Sequence, residues 1–484
     1  MTKVKKNTMK KNVKTRPPTV SDDKGMGGVI AQDGFDYQIW EALVRLPAWL
    51  RDPTFDGFIV EGLEDFEARF FAPYTLPEHA LERFQAKAGT LSKAGISEVL
   101  SSFQTYADHY PNTARLQTLV TPALPSALQW VARDGRRLRR ALPFYRPFNS
   151  VTAESDAKYL SDLEAEFGAV LGAFTARNVS VELRTFTDAD SARVAFAHAL
   201  ETAFPDLDAS PKKTRAAFDA LVTLATQKRG MMITRADALS TLRTALDARI
   251  LEDDLLVLHV RSDRDPERVD ALEIDATPFA GGASGFPEPE RWQRDLVLPL
   301  TRVATWAHGR GHQRVRLSGS FRLSTAFALG VAFRAARGFE LEIPCQSDTW
   351  MTAGHAPLDA TTLGWQVKKT SGVHQGRLVV AVGVIRNPMQ HVMAHRSMQD
   401  DQLVLHLQLD GPVTDGREAQ AAVALIKREV DQAVGLYRAT TVDLYFVGPA
   451  ALALALGHRW NALPRTQWHE FDREKQRYVP TVEA

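Results

Sequence analysis

Cysteine is nearly absent from this chain of 484 residues, which contains only Cys345. A single cysteine excludes a disulfide within the chain and any zinc site built from several thiolates. Long apolar runs are also missing, because the Ala/Leu-rich run near Ala450 is shorter than the roughly 20 residues that span a bilayer. The basic first segment lacks the apolar stretch of a signal peptide. These absences predict a soluble cytoplasmic protein with no membrane partner.

Net charge is missing as well, since 59 basic and 58 acidic residues give a formal charge of +1. The chain as a whole therefore has no field that would attract a polyanion. Basic residues are instead concentrated in a lysine-rich leader, residues 1–24, and in a second cluster, Arg133, Arg136, Arg137, Arg139 and Arg140. Either cluster could contact a phosphate backbone, although the leader also has the composition of a disordered solubilising tail.

Apolar residues make up 44% of the chain and aromatic residues 9%, which excludes an intrinsically disordered protein. The length suffices for about two to four domains, each with its own core.

An acidic segment follows the apolar run 58–60 and contains Glu61, Glu64, Asp65 and Glu67. A second strand-like stretch, residues 81–88, carries Gln85 and Lys87 at a spacing of two. Because alternate residues of a strand share a face, Gln85 and Lys87 are expected to point together towards Asp65 if the two strands pair.

Metal-dependent phosphodiester cleavage needs a set of residues like Asp65, Gln85 and Lys87. Carboxylate and amide oxygens hold Mg2+, and a lysine orients or activates water and steadies the charged phosphorane. Acidic runs are more often solvated faces, however, and a Gln-x-Lys alternation is common on strand surfaces. The spacing alone therefore leaves a nuclease site and a solvated face as alternatives.

The order of elements around this segment is helix, strand, strand, helix, strand. The helix begins near Asp33 and is expected to end before Pro47, and the later elements are the strand 57–60, the strand 81–88, the helix 95–109 and the strand 116–120. This order is that of a restriction-endonuclease-like core. Residues 128–245 have mostly helical periodicity and are interpreted as a connector without chemistry of its own.

Two passages of the C-terminal half share the layout of strand, tight turn, apolar helix and second strand. The first comprises residues 314–317, 318–320, 323–336 and 340–343, and the second comprises 442–447, 448–449, 450–460 and 466–470. The shared layout predicts two βαβ units that face each other across a pseudo-twofold cleft.

The turns of both units lie between the carboxyl end of a strand and the N-terminus of a helix, where backbone N–H groups favour anions. Arg386, after the strand 378–385, lies at another strand end. Such turns also occur in folds without a ligand, so the duplication is the stronger argument. A cleft with two such turns predicts a small ligand that carries several phosphates.

The C-terminal part resembles a SAVED domain, most specifically at residues 317–319, 446–450 and 477–480. SAVED domains are fused pairs of CARF-like Rossmann units that sense cyclic oligonucleotides. The N-terminal part, with residues 34–38, the Glu64–Asp65 pair and Gln85 to Lys87, resembles the PD-(D/E)xK-type nuclease fused to SAVED in CBASS antiphage effectors. The order and co-occurrence of these motifs make the resemblance specific.

The resemblance implies an α/β fold with a basic leader at 1–24, a restriction-endonuclease-like domain with its helical connector at 25–245, and a SAVED domain at 250–484. It implies that Asp65 and Gln85 hold Mg2+ and that Lys87 is the catalytic lysine. Gln85 stands where the motif has an acidic residue, so Glu41 or Glu64 is expected to compensate for the missing charge.

The resemblance further implies cleavage of double-stranded DNA by a homo-oligomer that a cyclic oligonucleotide activates, with a cyclic trinucleotide expected. Trp350 or Trp365 is expected to stack on its bases. Residues expected to hold the ligand's phosphates are Ser318, Gly319, Ser320, Arg322, Arg386, Gly448, Pro449 and Ala450. Two rival hypotheses are a constitutive restriction-type nuclease and a nucleotide-binding scaffold with an inactive nuclease domain.

Overall fold

The computed structural model of the chain describes residues 23–484 with the exception of 63–64, 88, 112, 146–148, 185, 187, 249–254, 263–270, 283–284, 346–348, 354–362, 371–375 and 397–403. Two compact units are present. The first contains residues up to Pro47, Gly57–Ala68 and Leu81–Leu246, and the second contains Ala48–Asp56, Arg69–Ala80 and Asp247–Ala484. The two short stretches near positions 50 and 75 fall inside the predicted nuclease domain, and the sequence does not indicate their grouping with the second unit.

The N-terminal region contains one six-stranded sheet and eight helices among its described residues. The strands are β1 Phe55–Val60, β2 Phe66–Phe71, β3 His79–Ala86, β4 Ala114–Thr121, β5 Val179–Leu183 and β6 Ile233–Thr234. The helices are α1 Asp23–Arg51, α2 Lys93–His109, α3 Gln129–Tyr145, α4 Asn149–Phe167, α5 Ala169–Asn178, α6 Ala189–Ala203, α7 Pro211–Gln227 and α8 Arg235–Leu246. The strand order is β5-β4-β3-β2-β1-β6, with β3, β4 and β5 parallel.

Three of these strands differ from the sequence prediction. The structure adds β2 inside the acidic segment, and β5 and β6 within the region expected to be helical. The helix expected to end before Pro47 also continues to Arg51. Trp49 and Leu50 are buried beyond the proline, so apolar burial in the last turn outweighs the cost of the missing hydrogen bond, about 3 kcal/mol.

The remainder of the chain builds two further sheets. Their strands are β7 Leu255–Arg261, β8 Leu272–Asp275, β9 Arg314–Ser320, β10 Glu340–Pro344, β11 Thr349–Met351, β12 Gln366–Lys369, β13 Arg377–Val384, β14 Val404–Leu409, β15 Thr441–Val447, β16 Arg465–Asp472 and β17 Arg477–Glu483. The helices are α9 Pro289–Trp292, α10 Leu298–Gly309, α11 Leu323–Ala332, α12 Met389–Arg396, α13 Gly416–Tyr437 and α14 Ala450–Arg459. The strand orders are β11-β10-β9-β7-β8 and β12-β14-β13-β15-β16-β17.

Two βαβ units occur where the sequence predicts them. Strand β9 pairs in parallel with β10 around α11, and β15 pairs in parallel with β16 around α14. The two helices pack against each other at a pair of glycines. A Cβ atom on Gly330 would lie 2.1 Å from the carbonyl oxygen of Leu454, and one on Gly457 would lie 2.3 Å from that of Phe327. This reciprocal contact joins the two βαβ units through one core that includes Phe327 and Trp468.

None of the described helices combines the length and the apolar character that crossing a bilayer requires.

Candidate functional site

Asp65 lies in the turn that joins β1 to β2, which is closed by a 2.8 Å hydrogen bond from the Glu61 amide to the Asp65 carbonyl. Its carboxylate reaches the end of β3. Oδ2 accepts a 2.6 Å hydrogen bond from the Ala86 amide and a 3.0 Å bond from Nε2 of Gln85. The expected meeting of Asp65 and Gln85 is therefore present, and the carbonyl oxygen of Gln85 is the atom it can offer to a cation.

The pKa of Asp65 is raised above its ordinary value because burial disfavours the charged carboxylate. Lys87 opposes this shift by its positive charge, and the hydrogen bonds from Ala86 and Gln85 oppose it more weakly. The ammonium group of Lys87 therefore acts on the Asp65 carboxylate through space. A carboxylate held at this cost gains from a bound cation, which would replace lost solvation.

Backbone pairing determines the face of the sheet on which Lys87 lies. Its amide donates a 2.8 Å hydrogen bond to the Val120 carbonyl, so the pairing of β3 with β4 continues through Lys87. Alternation then places Gln85 and Lys87 on one face. That face is the one where the Arg83 guanidinium lies 3.5 Å from the ring centre of Tyr106 in α2.

Glu41 does not join this group. The Arg45 guanidinium, one helical turn further along α1, lies over the rings of Phe66 and Phe84, at 5.8 Å and 4.9 Å from their centres. This places the Glu41 segment of α1 on the face opposite to Gln85 and Lys87. The expectation that Glu41 compensates for Gln85 therefore needs correction.

Glu41 instead belongs to a charge cluster that the sequence did not reveal. Its buried carboxylate pairs with Arg45, which also holds Glu182 of β5 at 2.6 Å, and Nε of Arg184 lies 3.7 Å from Glu41. Two arginines beside it hold the pKa of Glu182 below its ordinary value, although burial alone would raise it. The spacing of four between Glu41 and Arg45 is a sequence signal for the first pair. The Glu182 contact could not be found without β5.

The other acidic residues of the segment have separate positions. Glu61 pairs with Arg229 and Glu67 is buried in β2, whereas Glu64 lies outside the described residues. Across the described ranges, no three His, Cys, Asp or Glu side chains come together as a metal site. One carboxylate and one amide oxygen nevertheless fit Mg2+, which keeps several waters and commonly takes one or two carboxylates together with substrate phosphates.

The predicted ligand residues of the C-terminal half lie at the carboxyl ends of parallel strands. Strands β7 and β9 end together at Arg261 and Ser320, and β13 and β15 pair as far as Gly383 and Val447. The Ser318 hydroxyl lies 3.0 Å from Nδ1 of His259. The Ser320 carbonyl accepts a hydrogen bond from the Ser262 hydroxyl.

Gly319 was expected in a turn but lies within β9, paired with Val260 of β7. Its φ is +91°, and a Cβ atom there would lie 2.1 Å from the Val260 carbonyl oxygen. The residue is therefore fixed as glycine by its left-handed conformation and by the close neighbouring strand.

One backbone amide in the first turn of α11 is already bonded within the protein. The Glu470 carboxylate accepts hydrogen bonds from the amide (2.7 Å) and the hydroxyl (2.6 Å) of Ser324. Burial raises the pKa of Glu470, and the two groups of Ser324 oppose the shift. That amide is therefore not available to an anion, and the phosphate site expected at this turn stays a prediction. Arg322, whose Nε donates 2.6 Å to the Ala280 carbonyl, remains at the exposed edge.

The second turn has a different environment. Arg386 is exposed just after β13, and Pro449 is the N-cap of α14 without a side-chain capping bond. A Cβ atom on Gly448 would lie 3.2 Å from the side chain of Val384 at the end of β13. Gly448, Pro449 and Ala450 are all partly exposed.

Trp350 lies in β11, paired with Ile343, and is 5% exposed. It belongs to the apolar core and cannot stack on a bound base without leaving that core. The expected stacking role of Trp350 is therefore wrong in this structure.

Comparison with known proteins first defines a class. Residues 299–483 match the SAVED family, described as "SMODS-associated and fused to various effectors sensor domain". The match lies in the C-terminal part of the chain, where the sequence motifs resemble a SAVED domain.

The whole chain is in turn similar to CD-NTase-associated protein 4. It is 23% identical over 472 residues to that protein of Acinetobacter sp., with 96% of this chain and 98% of the relative covered. The identity to the Moraxella osloensis protein of that name is also 23%, over 489 residues and with the same coverage.

The solved structure of the Acinetobacter baumannii Cap4 SAVED/CARF-domain containing receptor with the cyclic trinucleotide 2'3'3'-cAAA has the same fold. The TM-score is 0.74 at 20% identity, over 93% of this chain and 98% of that one. For the receptor with 3'3'3'-cAAA, the TM-score is 0.75 at the same identity and coverage.

Proposed function

We propose that this protein is an antiphage defence effector of the CBASS type, a Mg2+-dependent endonuclease for double-stranded DNA that a cyclic oligonucleotide activates. The observation that carries the proposal is the meeting of Asp65, Gln85 and Lys87 at neighbouring strand ends, in a chain whose C-terminal part matches a sensor family. The order α1-β1-β2-β3-α2-β4 supports a restriction-endonuclease-like fold for the N-terminal part.

In the nuclease part, Asp65 and Gln85 would hold Mg2+ through oxygen atoms, with Glu64 as a further ligand. A bound Mg2+ would neutralise charge on the scissile phosphate. Lys87 orients the attacking water and stabilises the charge that develops on the phosphate oxygens. Its position directly after the strand that carries Gln85, on the same face of the sheet, supports this role.

In the sensor part, we propose a cyclic trinucleotide as the ligand, because the similar receptors were solved with cyclic trinucleotides of adenosine. Its phosphates would contact the strand-end residues that remain partly or fully exposed. These are Ser318, Gly319, Ser320, Arg322, Arg386, Gly448, Pro449 and Ala450. Arg386 and Arg322 supply the positive charge, and the uncapped first turn of α14 supplies backbone N–H groups.

Activation would proceed through assembly. A double-strand cut needs two active sites, so a ligand that binds more tightly to an oligomer than to a single chain shifts the population towards the active form. Differential affinity of this kind is sufficient for gating.

Cleavage of linear duplex DNA tests the proposal. The purified protein is incubated with duplex and Mg2+, with and without a panel of cyclic di-, tri- and tetranucleotides, and Lys87→Ala is the matched variant. We expect cutting only with Mg2+ and a cyclic trinucleotide, and none by Lys87→Ala.

Each rival function has its own outcome in this experiment. Cutting without any nucleotide would indicate a constitutive nuclease. Tight ligand binding and assembly without cutting would indicate a scaffold with an inactive nuclease domain. Cutting that survives Lys87→Ala would remove Lys87 from the proposed chemistry.

A further inference from the structure

A cleft of about 810 Å³ opens in the first unit between α3 and β5. It is separate from the Asp65 group and lies in the region whose sequence was interpreted as a connector. The residues that line it and concern the inference are Arg133, Arg136, Arg139, Arg140, Glu182 and Arg184.

The cleft is strongly cationic, because five of its lining residues are arginines and Glu182 is its one carboxylate among the described residues. Glu182 is itself neutralised by Arg45 and Arg184. Arg133 pairs with Asp134, but Arg136 and Arg140 make no ion pair with any residue that the structure describes. Two full charges thus remain available to a ligand.

Arg139 adds a buried donor to the same wall. Its Nη1 donates a 2.8 Å hydrogen bond to the Val179 carbonyl, whereas its Nη2 is buried and has no hydrogen-bond partner among the described residues. Nη2 is closed off from solvent, so Arg139 contributes to the cleft through the positive charge of its guanidinium, which attracts anions there.

The arginines form a row rather than a point. Arg133, Arg136 and Arg140 follow one another at spacings of three and four, so they share one face of α3. The seven helical steps from Arg133 to Arg140 span about 10 Å, which corresponds to about three phosphates of one DNA strand along the duplex axis. A row of this length fits a polymer backbone better than a single phosphate.

Another arginine of the cleft, Arg184, lies at the same edge of the sheet as Lys87. Lys87 follows β3 and donates to the Val120 carbonyl, and Arg184 follows β5 and donates to the Thr121 carbonyl, at 2.8 Å and 3.1 Å. Because β3, β4 and β5 are parallel, both residues lie at the carboxyl edge, roughly 10 Å apart across two strand spacings.

We infer that this cleft binds the phosphate backbone of duplex DNA and leads the duplex to the edge that holds Lys87. The inference rests on the proposed function for its substrate, but it adds a binding site of its own. Contacts to phosphates carry no sequence information, so binding here is independent of base sequence and strongly dependent on salt.

The test measures binding of the full chain to a fluorescent 30-bp duplex by anisotropy, in EDTA, over a series of salt concentrations. Arg136→Gln/Arg140→Gln removes two charges from the cleft. Arg177→Gln/Lys212→Gln removes two exposed charges outside the cleft lining and is the matched control. We expect the cleft variant to bind about tenfold more weakly and to lose about 1.8 from the slope of log K against log salt. The control should change by less than about threefold.

An equal loss of duplex affinity in both variants would show that net charge alone explains the effect. Unchanged affinity in the cleft variant would show that the cleft does not bind DNA. Either result overturns the inference, provided that both variants keep the wild-type melting temperature. A parallel titration with adenosine monophosphate distinguishes the source of the phosphate. Loss of nucleotide binding in the cleft variant, with duplex binding intact, would also overturn it.

Binding in EDTA needs neither Mg2+ nor Lys87. A protein that binds duplex through the cleft but does not cut would contradict the proposed nuclease and leave this inference standing. A protein that cuts, but whose cleft variant binds duplex normally, would support the proposed nuclease and contradict the inference about the cleft.

Discussion

Asp65 is the residue at which stability and chemistry oppose each other most clearly. Its side chain is partly buried, and its raised pKa means that folding favours the protonated form. The stability that the protonated Asp65 contributes is fully present below the pKa of the unfolded state and is lost as the pH rises through the pKa of the folded state. At neutral pH the charged form is held at a cost, which a bound cation would offset.

Asp65→Asn should therefore stabilise the metal-free protein while removing the metal site. The asparagine Oδ1 can replace Oδ2 as acceptor for Ala86 and Gln85, and no charge remains to be desolvated. We expect the free energy of unfolding at pH 7 to rise by about 0.5–2 kcal/mol. Thermal unfolding with and without Mg2+ measures both effects, since only a protein that binds the ion is stabilised by it.

Glu61→Gln is the control for this substitution, because it changes a carboxylate of the same segment that pairs with Arg229 near the surface. Its effect should stay within about 0.5 kcal/mol, and its response to Mg2+ should persist. A destabilised Asp65→Asn that still responds to Mg2+ would contradict the assignment.

Gln85→Glu should tighten the site for Mg2+ at the expense of the metal-free state. A second carboxylate 3.0 Å from Oδ2 of Asp65 would raise both pKa values by mutual repulsion and add a charged ligand when the ion is bound. We expect about tenfold tighter Mg2+ binding by calorimetry and a lower melting temperature in EDTA. Unchanged Mg2+ affinity would show that position 85 does not ligate the ion.

At the scale of elements, the sequence predicts what local periodicity encodes. The spacing of Gln85 and Lys87 placed both on one strand face, and the two βαβ units were visible from their repeated layout. Strand β5 was not, because its five residues stand between helices in a region of mostly helical periodicity. Continuation of α1 through Pro47, burial of Trp350 and the opposite-face position of Glu41 are all set by tertiary packing, which no local pattern reports.

The close packing of α11 against α14 can be tested by substituting the glycine at their contact. Gly330→Ala would bring a methyl group within 2.1 Å of the Leu454 carbonyl oxygen, which forces the helices apart. We expect a loss of about 1–3 kcal/mol in the stability of the second unit. The control is Gly435→Ala in α13, where no heavy atom lies within 4 Å of the added Cβ and a gain of about 0.5–1 kcal/mol is expected. Equal effects in denaturant titration would contradict the close crossing.

The cap of α11 by Glu470 predicts a pH dependence. The raised pKa of this buried carboxyl means that wild-type stability falls as the pH rises through the folded pKa. Glu470→Gln keeps an acceptor for Ser324 without a charge, so its stability relative to wild type should increase with pH over that range. Glu470→Ala leaves the Ser324 amide without its partner and should cost about 1–3 kcal/mol at a pH below the folded pKa. Parallel pH profiles for wild type and Glu470→Gln would contradict the raised pKa.

At the scale of the whole molecule, one chain combines a SAVED-type region with a strand pair that brings together a carboxylate, an amide and a lysine. Similarity to CD-NTase-associated protein 4 extends over 96% of the chain, so both parts have counterparts in one relative. The proposed gating explains why a nuclease with little sequence preference would be joined to a sensor: its activity would depend on a signal rather than on a recognition site.

The ratio of two initial cleavage rates tests the central proposal most directly. Wild-type protein is mixed with linear duplex and Mg2+, and the rate with saturating 3'3'3'-cAAA or 2'3'3'-cAAA is divided by the rate without nucleotide. For an equilibrium shifted almost completely by the ligand, the ratio should be about 100 or more. Both rates should vanish in Lys87→Ala. A measurable rate that is equal with and without nucleotide, or that persists in Lys87→Ala, would contradict a ligand-gated nuclease centred on Asp65, Gln85 and Lys87.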